Sequence, residues 1–161
     1  MFDPAVDTFI DMINKWMALH PGLIDVTHDR SKPLKRSEDF LRTMMKPLPP
    51  RMIGYGARQA ELPLRVAAFD FADSVASSQL QVADLVAGAA TDCLRAWSGR
   101  QAASDYHQAM KQTRLGELFV GGMMPSAEVG RKNEPLPGQT SLVDGSMRFL
   151  QQAGYFGPVG R

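Results

Sequence analysis

Ser78-Gln79-Leu80-Gln81-Val82-Ala83-Asp84-Leu85-Val86-Ala87-Gly88-Ala89-Ala90-Thr91-Asp92-Cys93-Leu94-Arg95-Ala96-Trp97 is the stretch that decides how this chain reads. Its apolar residues recur on every side of a helical wheel, a pattern that predicts a buried helix closed by Ser98-Gly99. Gln81, Asp84, Gly88 and Asp92 follow one another at spacings of three, four and four, so they share one stripe. A carboxylate on a buried helix is costly unless something pairs it, protonates it or binds it to a metal. Asp84 therefore stands out. Its alternatives are a pair with Arg30, Lys32 or Arg95, or a solvated edge. Gly88 removes bulk from the same stripe and lets a backbone or ligand approach. Ser78-Gln79-Leu80-Gln81 also fits a capping box, with Ser78 as N-cap and Gln81 reaching back, which gives Gln81 a structural reading beside a functional one.

Working outward, residues 7–19 repeat apolar side chains at helical spacing: Phe9, Ile10, Ile13, Trp16 and Met17, after Val6. His20-Pro21-Gly22 ends that helix. Leu23–Thr27 is short and bounded by turns, which predicts a strand running into His28-Asp29-Arg30-Ser31-Lys32-Pro33. A helix is expected from about Ser37, with Phe40, Leu41, Met44 and Met45 inward, until Pro47, Pro49 and Pro50 stop it. Arg51–Tyr55 reads as a short edge strand and Leu64–Phe71 as a better one, ending at Ala72-Asp73-Ser74. Beyond the central helix, a further helix is expected over 101–115, a flexible-looking stretch at Gly121–Pro125, loop over 128–140, a helix over 142–152 and a frayed or draped end from Gly154. Strands alternating with helices predict an α/β layer architecture.

Asp29 and Asp73 fall at the ends of the two strands, where α/β sheets commonly place ligands. Either also suits a turn or cap, the usual place of Asp before Ser. His28 beside Asp29 reads better as a structural hydrogen bond than as a base or metal ligand, because alternation turns it to the other side.

The chain has 161 residues, 44% of them hydrophobic and 22% charged, with a net charge of +1. That length suits one domain with a proper core, and the charge excludes a strong overall field toward nucleic acid. One cysteine, Cys93, excludes an internal disulfide and fits a reducing cytoplasm, with the thiol a small core residue. No segment approaches the roughly 18 apolar residues of a membrane span. Nucleotide-binding loops, zinc-peptidase motifs and a serine-hydrolase elbow are absent from the sequence.

Three blocks in this order, His28-Asp29-Arg30-Ser31, Asp73-Ser74 and Gln81-Val82-Ala83-Asp84-Leu85-Val86-Ala87-Gly88, resemble the bacterial domain of unknown function 3800, whose fold is ribonuclease-H-like. The resemblance covers about residues 5–100, and its last block is the most specific. It implies an α/β fold in which a partial ribonuclease-H-like sheet is flanked by helices. Two departures stand out: Val75 occupies the place of a frequent Lys, and no first strand bears an Asp-Glu-Ser-Gly type motif. The expectation is therefore a C-terminal portion of such a domain over 1–115, its first strands missing, with a loop-rich extension over 116–161.

The resemblance further implies a divalent-metal-dependent phosphodiesterase or nuclease-type hydrolase, incomplete and inactive alone. Asp29, Asp84 and Asp73 would be its catalytic and metal-ligating acids, holding magnesium or manganese weakly. Gln81 would position water or phosphate, and Arg30 or Lys32 would contact substrate phosphate. Nucleic acid is the implied partner. The rival class is a non-catalytic interaction module that associates through an exposed sheet, with itself or with a complementing N-terminal chain.

Overall fold

A computed structural model describes residues 4–56, 58–114, 117 and 137–157 of the chain. Its elements run α1 (Pro4–Leu19), β1 (Ile24–Asp29), α2 (Lys32–Arg36), α3 (Glu38–Met44), β2 (Arg51–Tyr55), β3 (Arg58–Leu62), β4 (Val66–Ala72), α4 (Ser78–Trp97), α5 (Asp105–Lys111) and α6 (Leu142–Gln152). A single 3-10 turn, Ser74–Ala76, joins β4 to α4. The mixed α/β class is as the pattern predicts. Among the described residues the strands form two separate two-stranded ladders, β1 with β4 and β2 with β3, rather than one sheet. The stretch Gly121–Pro125 and most of the 128–140 loop lie outside the described residues.

Contacts divide the chain into two compact units, one of Met1–Val26, Ser31–Phe69 and Met123–Arg161, the other of Thr27–Arg30 and Asp70–Gly122. The first holds most of the large buried side chains. Val6, Phe9, Ile13 and Met17 face inward from α1 at helical spacing, as the periodicity predicts. Leu34 comes from α2, and Phe40, Leu41 and Met44 come from α3. Phe9 meets Phe69 with ring centroids 5.2 Å apart, and Arg42 donates to the Phe69 carbonyl at 2.7 Å.

The β2–β3 hairpin is antiparallel, with Arg51 opposite Leu62 and Tyr55 opposite Arg58. Sequence reading recognises β2 and misses β3, whose Arg58-Gln59-Ala60-Glu61-Leu62 has little intrinsic strand preference. Its place is set by β2 on one side and by α1, where Asn14 Oδ1 accepts from Glu61 N at 2.6 Å. Arg65 closes the C-terminal end of α1 by donating to the carbonyls of Met17, His20 and Pro21.

Helix α6 forms over the expected residues, and it belongs to this first core: Phe149 and Leu150 are fully buried. Gly54 N donates to Thr140 O at 3.0 Å just before it. A Cβ at Gly145 would stand 2.6 Å from Ile53 Cβ and Cγ2, so only glycine allows this approach to β2. Of fraying and draping, the two expectations for the end from Gly154, residues 154–157 take the second. Gly154 adopts φ 77°, and Tyr155 N donates to Leu150 O while Gly154 N donates to Gln151 O, a closing motif that satisfies the last carbonyls. Tyr155 then packs edge-on against Phe40.

The second unit is built on α4, whose boundaries match the expectation at both ends. Gly99, at φ 73°, supplies the same closing motif. Its predicted burial is wrong. Only Ala90, Cys93 and Ala96 are buried on it, whereas Val82 is 58% and Leu85 73% exposed. Alanine and glycine fill much of the wheel, so the composition looks apolar without carrying bulk that must be hidden. The adjoining α5 is shorter than the predicted 101–115 helix: Gly99 ends α4 and Ser104 opens α5, which leaves Gln101–Ala103 as linker.

Candidate acidic site and the groove on α4

The two strand-end acids sit together in the second unit. Asp29 is the last residue of β1, and its Oδ1 accepts from the backbone N–H of Arg30 at 2.8 Å and of Ser74 at 3.2 Å. The Ser74 hydroxyl donates to Oδ2 at 3.3 Å. These donors, the Arg30 N–H foremost, hold the Asp29 carboxyl below the usual aspartate range and keep it ionised. Asp73 follows the end of β4 and caps the 3-10 turn, accepting from Val75 N at 3.0 Å. The strand has already ended at Ala72, so Asp73 takes the cap position that an aspartate before serine suits. Arg30 reaches Asp73 at 3.5 Å, with both side chains largely solvated, so this pair contributes little. His28 Nδ1–H donates to the Asp29 carbonyl at 2.7 Å, the structural bond that alternation favours.

Gln81 ties this turn to α4. Its Nε2 donates to Ser74 O at 2.8 Å and to Val75 O at 3.3 Å. The cap itself is one residue earlier than expected: Ser77, not Ser78, accepts from Leu80 N. A continuous chain of hydrogen bonds thus runs Asp29–Ser74–Gln81, from the strand end to the helix. Asp84, one turn further, is exposed rather than buried, and among the described residues its carboxylate makes no hydrogen bond or ion pair, so neither Arg30 nor Arg95 holds it. Lys32 is exposed and belongs to the first unit.

Magnesium or manganese needs about six oxygen ligands, several from carboxylates or water. Among the described residues no group of three His, Cys, Asp or Glu side chains converges to hold an ion. Asp29 already accepts three hydrogen bonds. The described acids do not by themselves make a metal cage.

The stripe of Gln81, Asp84, Gly88 and Asp92 is real, and it lines a shallow groove of ≈ 870 Å³ with Leu85, Ala89 and Tyr106. At its far end lies a network the sequence reading did not foresee. Asp92 accepts from Gln101 Nε2 at 2.7 Å, and His107 Nε2 stands 2.9 Å from Asp92 Oδ2. The bond from Gln101, then that from His107, lowers the Asp92 pKa. Ser104 N–H donates to His107 Nδ1 at 2.9 Å, so the neutral imidazole carries its proton on Nε2 and gives it toward Asp92.

Serine, histidine and aspartate in a line invite comparison with a nucleophilic triad. Here, however, the Nδ1 lone pair facing the Ser104 hydroxyl is already used by the Ser104 N–H, and His107 is only 5% exposed. The group caps α5 and binds it to α4; it has no free base. Ser104-Asp105-Tyr106-His107 is the local signal for that cap, with His in the place usually taken by Glu or Gln.

No protein-family model, curated protein or solved structure matches the chain.

Proposed function

We propose that Asp29, Asp73 and Asp84 are part of a ribonuclease-H-like acidic site, of the kind found in the domain of unknown function 3800, serving divalent-metal phosphodiester hydrolysis. The chain taken alone is inactive in this reading, since a further carboxylate must join before magnesium or manganese is held firmly. One observation carries it: the hydrogen-bonded chain Asp29–Ser74–Gln81, which couples an ionised strand-end acid to the helix bearing an unpartnered Asp84. Arg30, solvated and only loosely held by Asp73, is free to contact a substrate phosphate; Lys32 is assigned the same role.

The test is a calorimetric titration of the whole chain with Mn²⁺, alongside a nuclease assay on single- and double-stranded substrates. Weak binding is expected, lost in Asp29→Asn and Asp84→Asn, with no cleavage by the chain alone. Identical heats for wild type and the double variant would remove the metal site and, with it, the nuclease reading.

A second reading, association with another polypeptide, is favoured by a separate observation. The second unit buries only Ala90, Cys93 and Ala96 among its described apolar residues, and only Cys93 fully, while Val75 is 86%, Leu85 73% and Val82 58% exposed. Such a core supplies little hydrophobic stabilisation, and exposed apolar surface of this kind is typical of a face that is covered in use.

A further inference from the structure

We infer that two copies of this chain pair through α4, packed antiparallel about a two-fold axis lying between Ala89 and Ala90. The inference rests on the association reading and names its partner as a second copy. Asp84 and Arg95 are eleven residues apart on α4, three helical turns plus about 20°, so they lie on one stripe. Each is exposed. Among the described residues neither side chain makes a hydrogen bond or a close ion pair; Arg95 acts only through space on Asp92, which leaves two opposite charges without a direct partner at the two ends of one helix face.

A two-fold axis at the midpoint converts that arrangement into two matched pairs. Reversing the helix about a point between residues 89 and 90 sets Asp84 against the partner's Arg95, and Arg95 against the partner's Asp84. The same operation sets Gly88 against the partner's Thr91. Both are small, and a Cβ built at Gly88 meets nothing within 4 Å, so the crossing point is open for close approach. Leu85 and Ala89 flank the stripe on the side of the groove closed by Tyr106 and give the pair apolar contact. Other two-fold positions fare worse. Centring on Gly88 sets Asp84 against the partner's Asp92, a like-charge contact. A self-complementary patch of this sort is what a two-fold dimer requires, and antiparallel helices also oppose their dipoles favourably.

Sedimentation of the full chain over a range of concentrations tests this. A reversible monomer–dimer equilibrium is expected. Arg95→Glu, which places like charges at both ends, raises the dissociation constant by roughly tenfold or more. The exchange Asp84→Arg with Arg95→Asp in one chain restores dimerisation to near the wild-type level, which a merely unfolded variant cannot do. A chain that stays monomeric throughout, or dimers indifferent to Arg95→Glu, would overturn the inference. Mn²⁺ separates this from the metal reading. If Asp84 binds metal, Mn²⁺ weakens the wild-type dimer; if only the dimer exists, Mn²⁺ leaves it unchanged while the charge variants behave as stated.

Discussion

Two helical glycines should respond in opposite senses to the same change. Gly145 lies inside α6 and Gly88 inside α4, and replacing glycine by alanine in a helix interior ordinarily stabilises by about 0.5–1 kcal/mol. At Gly88 nothing stands within 4 Å of the new methyl group, so Gly88→Ala should realise that gain when the chain is dilute enough to be monomeric. At Gly145 the methyl would meet Ile53 Cβ and Cγ2 at 2.6 Å and Thr140 Oγ1 at 3.1 Å. Ordinary carbon contacts are about 3.5–4.0 Å, so α6 or β2 must give by roughly 1 Å.

Ile53 cannot turn away, because one of the atoms in conflict is its own Cβ, fixed to the β2 backbone. Overpacking of this kind costs about 1–3 kcal/mol. With the rigid neighbour it should fall near the upper end, leaving Gly145→Ala less stable by about 2 kcal/mol after the helix gain is subtracted. The chain has two tryptophans, Trp16 on α1 in the first unit and Trp97 on α4 in the second. Urea unfolding read from Trp16 in a Trp97→Phe background follows the first unit; the converse background follows the second. Equal or greater stability of Gly145→Ala would refute the packing of α6 on β2 described above. Loss of stability in Gly88→Ala would mean that the α4 stripe is covered within the monomer.

Arg65→Met keeps the aliphatic stem but removes the donors to Met17, His20 and Pro21, so urea denaturation followed at Trp16 should show a loss of about 1–3 kcal/mol; no change would mean that water replaces the guanidinium freely. Asp92 has a lowered pKa in the folded chain, so its contribution is fully present above the ordinary aspartate pKa and disappears as pH falls through the lowered folded value. Acid titration of the Trp97 signal should therefore show a steeper loss in wild type than in Asp92→Asn, and parallel curves would deny the Asp92–His107 link its role.

How legible all this was depended on the range of the interaction concerned. The ends of α4 are written locally, in serine at one end and Ser98-Gly99 at the other, and α1 and α6 follow from apolar spacing. The burial of α4 was not legible, because a wheel of alanines resembles a buried helix while demanding little cover. Strand β3 depends on pairing with β2 and on Asn14, which lies 47 residues from its hydrogen-bond partner Glu61. The stripe through Gln81, Asp84, Gly88 and Asp92 was visible from spacing alone. That Asp92 would be taken by His107 was not, since fifteen residues and a chain reversal separate them. Asp29 and Asp73 were found by their places at strand ends, yet only the folded chain reveals that backbone N–H groups satisfy their carboxylates.

Cys93 is the sole cysteine of the chain and is fully buried on α4. Its thiol is silent toward an alkylating reagent until α4 comes free of its cover, and no other sulfhydryl competes for the signal. The rate of labelling under native conditions therefore measures how often the packing around Cys93 opens. A ligand, metal or second copy that grips α4 must slow that clock, whichever surface it touches, so one residue with no part in the site can referee every proposal about it.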